Sequence, residues 1–241
     1  MSGSDPFLST FQFQAVDLDT LGSSEYTLVQ LCVDDSGSVR DVVRQEESAI
    51  KSIIDACRKA TRKDCLLLRT YTFNDRLTER HGFKHLMECH PVAYDNLLRG
   101  VGGTALFDAA IDGADALARQ GRILQEEEYT VNGILFVITD GHNEHGLNRS
   151  ASSVKASLDR AVKGENLESL VSVLIGVNVT DPDVATYLAT FAKEAGFTQF
   201  VNAGEATPQK LARLAEFVSK SISNQSQACG SKKPSTTLAS I

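Results

Sequence analysis

No apolar run in this chain approaches the roughly 20 residues that a helix needs to cross a bilayer, so no membrane span is expected. Met1 to Thr10 carries neither the basic stretch nor the apolar core of a secretory leader. Positive charge is short: 24 Lys and Arg stand against 31 Asp and Glu, a formal net charge of -7. That balance argues against nucleic acid, which needs clustered cations to displace counterions from phosphates. The five cysteines (Cys32, Cys57, Cys65, Cys89 and Cys229) are odd in number, scattered, and lack paired ligand spacing. Cys32 and Cys65 lie in apolar strand-like runs, where cysteine acts as a small buried hydrophobe. A reducing, cytoplasmic setting is the simplest reading. A Gly-x-x-x-x-Gly-Lys phosphate loop and internal repeats are absent, and no Ser/His/Asp order is compelling.

What remains is a chain of 241 residues, 42% hydrophobic, which suits one α/β domain with a substantial core. Tyr26 to Val33 is an apolar, β-branched run that stops at Asp34, as a buried strand does. Val43, Ile50, Ile53, Ile54 and Cys57 follow at helical spacing. Cys65 to Phe73 is the next strand, and residues 76–89 suggest a hairpin or an edge strand. Asp95 to Leu98 suggests a short helix, and Leu106, Ala110, Ala114 and Leu117 mark a longer one. Ile134 to Thr139 is the most continuous apolar run, and it halts at Asp140. Val154, Leu158 and Ala161 then share a helix face, and Leu170 to Val177 is another buried strand.

Asp181-Pro182 has the form of an N-cap with proline at the first helical position, and Gly196 that of a helix stop. Phe200-Val201 is a last short strand, and Thr207-Pro208 opens a final helix through Leu211, Leu214, Val218 and Ile222. Strands alternating with helices predict a doubly wound α/β fold, its central sheet mostly parallel with helices on both faces and one antiparallel edge strand. Residues 1–24 read as a lead-in segment or an edge strand, 25–224 as the domain, and 225–241 as a loose polar tail.

Three segments carry the chemistry: Asp34-Asp35-Ser36-Gly37-Ser38, Gly102-Gly103-Thr104 and Thr139-Asp140-Gly141. In a doubly wound sheet, ligands lie beyond the carboxyl ends of the strands where the winding reverses. If the strands ending at Asp34 and Asp140 are neighbours there, their carboxylates meet at one crevice. Taken singly, each segment is ordinary turn and helix-cap composition. Asp34 and Asp140 with Ser36, Ser38 and Thr104 offer two carboxylates and three hydroxyls, hard oxygen donors that suit Mg²⁺, Mn²⁺ or Ca²⁺ better than Zn²⁺ or copper, with Ca²⁺ less favoured by so few donors.

Asp34-x-Ser36-x-Ser38, Thr104 after two glycines, and Asp140 after a strand resemble the metal-ion-dependent adhesion site of von Willebrand factor A-type domains. The resemblance covers roughly residues 24–224, and Phe73-Asn74-Asp75 and Thr139-Asp140-Gly141 also resemble the family. It implies that Ser36, Ser38 and Thr104 bind Mg²⁺ or Mn²⁺ directly or nearly so, with Asp34 and Asp140 acting directly or through water. An Asp or Glu carboxylate of a partner protein would fill the open position. AAA-type ATPases in chelatase-like systems are among the partners that the family implies. The departures are peripheral: Asp35 adds an acid, and His142, Glu144 and His145 crowd the loop after Asp140.

Other readings compete with parts of this one. His142, Glu144 and His145 lack a third matched segment for zinc and suit a solvated loop. His81 and His85 read as surface residues, and Asp108, Asp112 and Asp115 as the exposed acidic face of a helix. A Mg²⁺-dependent phosphohydrolase or phosphotransferase would use Asp34 as nucleophile, but such chemistry usually wants a second carboxylate two residues on, where this chain has Ser36. A non-enzymatic binding module is therefore expected. A cation that only braces the fold is the third reading.

Overall fold

The computed structural model describes residues 15–58, 63–147, 149–164 and 166–204. The final helix expected from Thr207 to Ile222, the tail over 225–241, residues 1–14 and the side chain of Ile53 lie outside these. Six strands form one sheet: β1 (Glu25–Asp34), β2 (Leu66–Phe73), β3 (Leu77–His85), β4 (Thr130–Thr139), β5 (Ser169–Val177) and β6 (Gln199–Gly204). Their spatial order is β3-β2-β1-β4-β5-β6. All neighbours are parallel except β2 and β3, which pair antiparallel at one edge. The chain winds outward from β1 to β2 and β3, then returns to β4 on the other side of β1. The reversal therefore falls between β1 and β4.

Among the described residues four helices cover the sheet: α1 (Val43–Arg58), α2 (Leu106–Glu126), α3 (Ala151–Lys163) and α4 (Pro182–Ala195). Successive strand residues point to opposite faces, and the core divides accordingly. Val29, Leu31 and Val33 with Ile134, Phe136 and Ile138 pack against Ile50, Ile54 and Cys57 of α1. Leu28 and Cys32 with Leu135 and Val137 join α2, α3 and α4 on the opposite face. Both faces are covered, which is why β1 and β4 are apolar almost without interruption. This is a Rossmann-like, von Willebrand factor A-like α/β fold.

Local chemistry sets the element ends. Asp181 Oδ1 accepts the Asp183 amide at 2.8 Å, Pro182 opens α4, and Gly196 ends it with φ of 74° in the left-handed region. An N-cap of this kind is worth about 1 kcal/mol. At the start of α2, Asn143 Oδ1 from the loop after β4 accepts the Phe107 amide at 3.0 Å.

Several expectations need correction. Residues 95–98 form a turn and irregular backbone, while the short helix lies earlier, as a 3-10 turn over Pro91–Tyr94 opened by Pro91. Cys65 ends a 3-10 turn (Lys63–Cys65), and strand β2 starts one residue later. In the lead-in, residues 15–24 hold a 3-10 turn at Leu18–Thr20 and no strand. His81 and His85 are half-buried: His81 Nε2 lies 2.6 Å from the Tyr94 hydroxyl, and His85 packs edge-on to Tyr26.

The acidic face assigned to α2 is also wrong. Asp112 and Asp115 are 4% and 5% exposed, because α2 is sandwiched between the sheet and α3. Each has a cationic partner that makes burial tolerable. Asp112 meets Arg69 of β2 at 3.5 Å, Asp115 meets Arg160 of α3 at 3.2 Å, and Asp108 meets Arg149 at 2.6 Å. Arg69 is itself fully buried and also binds Glu79 at 2.6 Å and Gln30 at 2.8 Å.

Candidate metal centre

The carboxyl ends of β1 and β4 lie side by side, with Val33 in register with Ile138. Asp34 closes β1 and is fully buried. Its Oδ1 accepts the Ser36 amide at 2.9 Å, an Asx-type turn that folds the following loop back over the strand end. Its Oδ2 accepts the Thr139 hydroxyl at 2.6 Å. Ser36 and Ser38 touch oxygen to oxygen at 2.9 Å, and the Ser38 hydroxyl donates to Asp140 Oδ1 at 2.7 Å. A continuous hydrogen-bonded run thus links Asp34, through the Ser36 amide and the Ser36 and Ser38 hydroxyls, to Asp140.

Thr104 is 3% exposed and belongs to the loop ahead of α2, which starts two residues later at Leu106. Backbone bonds tie that loop to both neighbours. The Gly37 amide donates to the Gly102 carbonyl at 2.9 Å, and the Thr104 carbonyl accepts the Glu144 and His145 amides at 2.9 and 3.1 Å. Gly102 has φ of 83°, which favours glycine, and a Cβ there would meet Asp75 Oδ2 at 2.7 Å. Gly103 lies under the His145 ring, with no room for a Cβ between them. The three predicted segments therefore converge at one end of the sheet.

Burial dominates the electrostatics here. It pushes the Asp34 carboxyl up to about 7, against the lowering effect of its bonds from Thr139 and Ser36, and Asp140 adds to the rise. Asp140 is raised chiefly by burial too, and its bond from Ser38 opposes this. Asp34 and Asp140 thus lie close together with no cationic side chain bonded to either among the described residues. Asp35 has different work. Its Oδ1 accepts the Arg99 and Gly100 amides, the latter at 2.8 Å, and Arg80 lies 3.7 Å from its Oδ2.

Among the described residues no three His, Cys, Asp or Glu side chains form a cluster that could hold a metal by themselves. Any cation at this end would draw on hydroxyls as well, and Ser36 and Ser38 are the hydroxyls in line with the two carboxylates. His142 stacks on Tyr187 with ring centroids 4.3 Å apart, and His145 is exposed beside Asp75 at 3.8 Å.

Two acidic residues in this neighbourhood escaped the sequence reading. Glu47 is 8% exposed and accepts the Leu98 amide at 2.9 Å. Glu46 is 2% exposed, and neither of its carboxyl oxygens has a hydrogen-bond partner. The usable signal was spacing: Glu46, Ile50 and Ile54 recur every four residues, so Glu46 continues the buried stripe of α1.

No family model and no curated protein sequence matches the chain. Solved structures do. Proximal thread matrix protein 1 from the mussel byssus aligns at TM-score 0.56 and 20% identity, over 86% of this chain and 47% of that one. The same protein with a zinc-occupied MIDAS motif aligns at 0.55 and 22%, over 86% and 46%. The D319A mutant of the PilB minor pilin from Streptococcus sanguinis aligns at 0.60 and 14%, over 89% and 65%. The chain spans about half the length of the byssus protein. At these identities the likeness is one of fold.

Proposed function

We propose that this chain is a non-enzymatic, divalent-cation-dependent protein-binding module. Asp34, Ser36, Ser38, Thr104 and Asp140 would hold Mg²⁺ or Mn²⁺, and an Asp or Glu carboxylate of a partner protein would complete the coordination. The carrying observation is the unbroken hydrogen-bonded run from Asp34 through Ser36 and Ser38 to Asp140 at the point where the sheet winding reverses. When bound, the cation supplies a Lewis-acidic point that neutralises two crowded carboxylates and accepts one more oxygen. The chain's own part is to fix the donors: Thr139 and the Ser36 amide orient Asp34, and Ser38 orients Asp140. Oxygen-only donors speak for Mg²⁺ or Mn²⁺ here, whereas zinc belongs to the byssus protein.

Support for holding a cation rather than attacking a phosphate comes from Asp34 itself. It is fully buried with both oxygens engaged, and Ser36 occupies the place of a general acid. The module would occupy residues 25–224, between the lead-in over 1–24 and the tail over 225–241. No helix among the described residues is long and apolar enough to cross a membrane. Cys32, Cys57, Cys65 and Cys89 are free thiols, which supports a reducing compartment such as the cytoplasm. The byssus and pilus origins of the fold's neighbours speak the other way, so alkylation of the thiols in intact cells decides it. AAA-type ATPases remain among the candidate partners.

Titration of the purified chain with Mn²⁺, followed by partner capture with and without EDTA, tests the reading. Wild type should bind Mn²⁺ and capture its partner only without EDTA, and Asp140→Ala should bind neither Mn²⁺ nor the partner. Capture that is equal in both proteins and insensitive to chelator would overturn it.

A further inference from the structure

Helix α1 opens five residues beyond Ser38 and lays Glu46, Ile50, Ile54 and Cys57 on its buried side, all 3% exposed or less. Three of these are ordinary core side chains; Glu46 is not. Native proteins leave few buried polar atoms unpaired, because a carboxyl stripped of water and of partners costs free energy. Glu46 has both oxygens in that condition. Its neighbour Glu47, almost as buried, shows the usual remedy in its bond from the Leu98 amide. Ile50, one turn further along α1, shares its core cluster with Val33 and Ile138 near the ends of β1 and β4, so the same stripe carries Glu46 toward Asp34 and Asp140. The charged groups acting on Glu46 are Asp34, Asp140 and Asp35, all acidic. With burial as the main cause, they push its carboxyl well above the usual carboxylate range. Among the described residues no cationic side chain acts on Glu46, and a bound cation would relieve the arrangement.

We propose that Glu46 is a third carboxylate of the cation site formed by Asp34, Ser36, Ser38 and Asp140, acting on the ion through water from the α1 side. This rests on the cation-binding reading given above. At 2% exposure Glu46 is out of reach of any partner protein, so it adds holding charge without taking the position that a partner would fill. Groups just outside the direct ligands typically change metal affinity by about 10- to 100-fold when removed.

The test uses the full chain and Mn²⁺ as the probe, with affinity read by calorimetry and stability by thermal melting without metal. Glu46→Gln keeps the shape and removes the charge, and Glu46→Leu replaces an unpaired carboxyl with an apolar group in an apolar stripe. Both should lose about 10- to 100-fold in Mn²⁺ affinity. Neither should melt lower than wild type when metal-free, and the leucine variant should melt higher. Wild-type Mn²⁺ affinity in both variants, beside a loss in Asp140→Ala, would overturn the role of Glu46 and leave the site intact. A lower metal-free melting temperature in both variants would make Glu46 a packing residue and overturn the inference. Failure of the wild type to bind Mn²⁺ would sink the underlying reading, and this inference with it.

Discussion

The hydroxyl of Thr139, the last residue of β4, donates to Asp34 Oδ2, the last residue of β1, across 2.6 Å. Two strands far apart in sequence thereby lock their ends together through one side-chain bond. Thr139→Val keeps the volume and deletes the donor. The buried carboxyl then loses its O–H partner, at a cost of about 1.5–3 kcal/mol for a bond to a charged group. Cation affinity should fall about 10- to 100-fold. Urea denaturation and Mn²⁺ calorimetry check the two effects separately.

Gly102 holds the middle loop against both neighbours. Gly102→Ala forces a side chain into the left-handed region and onto Asp75. The backbone term alone should cost about 1–2 kcal/mol, read by denaturation. Because the Gly102 carbonyl accepts the Gly37 amide, Mn²⁺ affinity should drop as well.

Arg69 is a stability residue outside the proposed cation site. Arg69→Met leaves Asp112 buried without its cation and strips Glu79 and Gln30 of a shared donor. Breaking a buried pair from one side costs roughly 3–5 kcal/mol, which a urea midpoint will show. Mn²⁺ affinity of the folded fraction should be unchanged.

Acid should weaken the fold through His81. Burial, its main perturbation, lowers the imidazole to about 4 from the ordinary 6.5. The unfolded chain therefore takes up a proton below pH 6.5 that the folded chain refuses until about 4. Stability falls as pH falls through that window and is recovered above it. His81→Phe removes the titrating group, so its melting temperature should vary less with pH across the same window.

Strand ends were the most legible part of the sequence. Tyr26 to Asp34 and Ile134 to Asp140 are apolar runs that stop at an acid, and the structure places those ends beside each other. The capping signals of α4 were equally plain, since Asp181, Pro182 and Gly196 each have a local physical reason to be there. Long-range pairing was not legible. Asp112 and Asp115 looked solvated because their partners, Arg69 and Arg160, lie on other elements. Glu46 is in phase with the apolar stripe of α1, but Gln45 and Glu47 flank it, and spacing alone does not tell a buried acid from a solvated one.

Asp35 gives this end of the molecule a decoy. Its side chain accepts the Arg99 and Gly100 amides, while its own amide and carbonyl bond Phe73 and Val101. Four anchors on one residue rivet the first loop to the strand and loop beside it. A mutational scan would find Asp35→Ala as damaging as the loss of a true ligand, although its carboxylate is spent on backbone. Sorting mimic from ligand requires Asp35→Asn, whose remaining carbonyl oxygen can keep the rivet while shedding the charge.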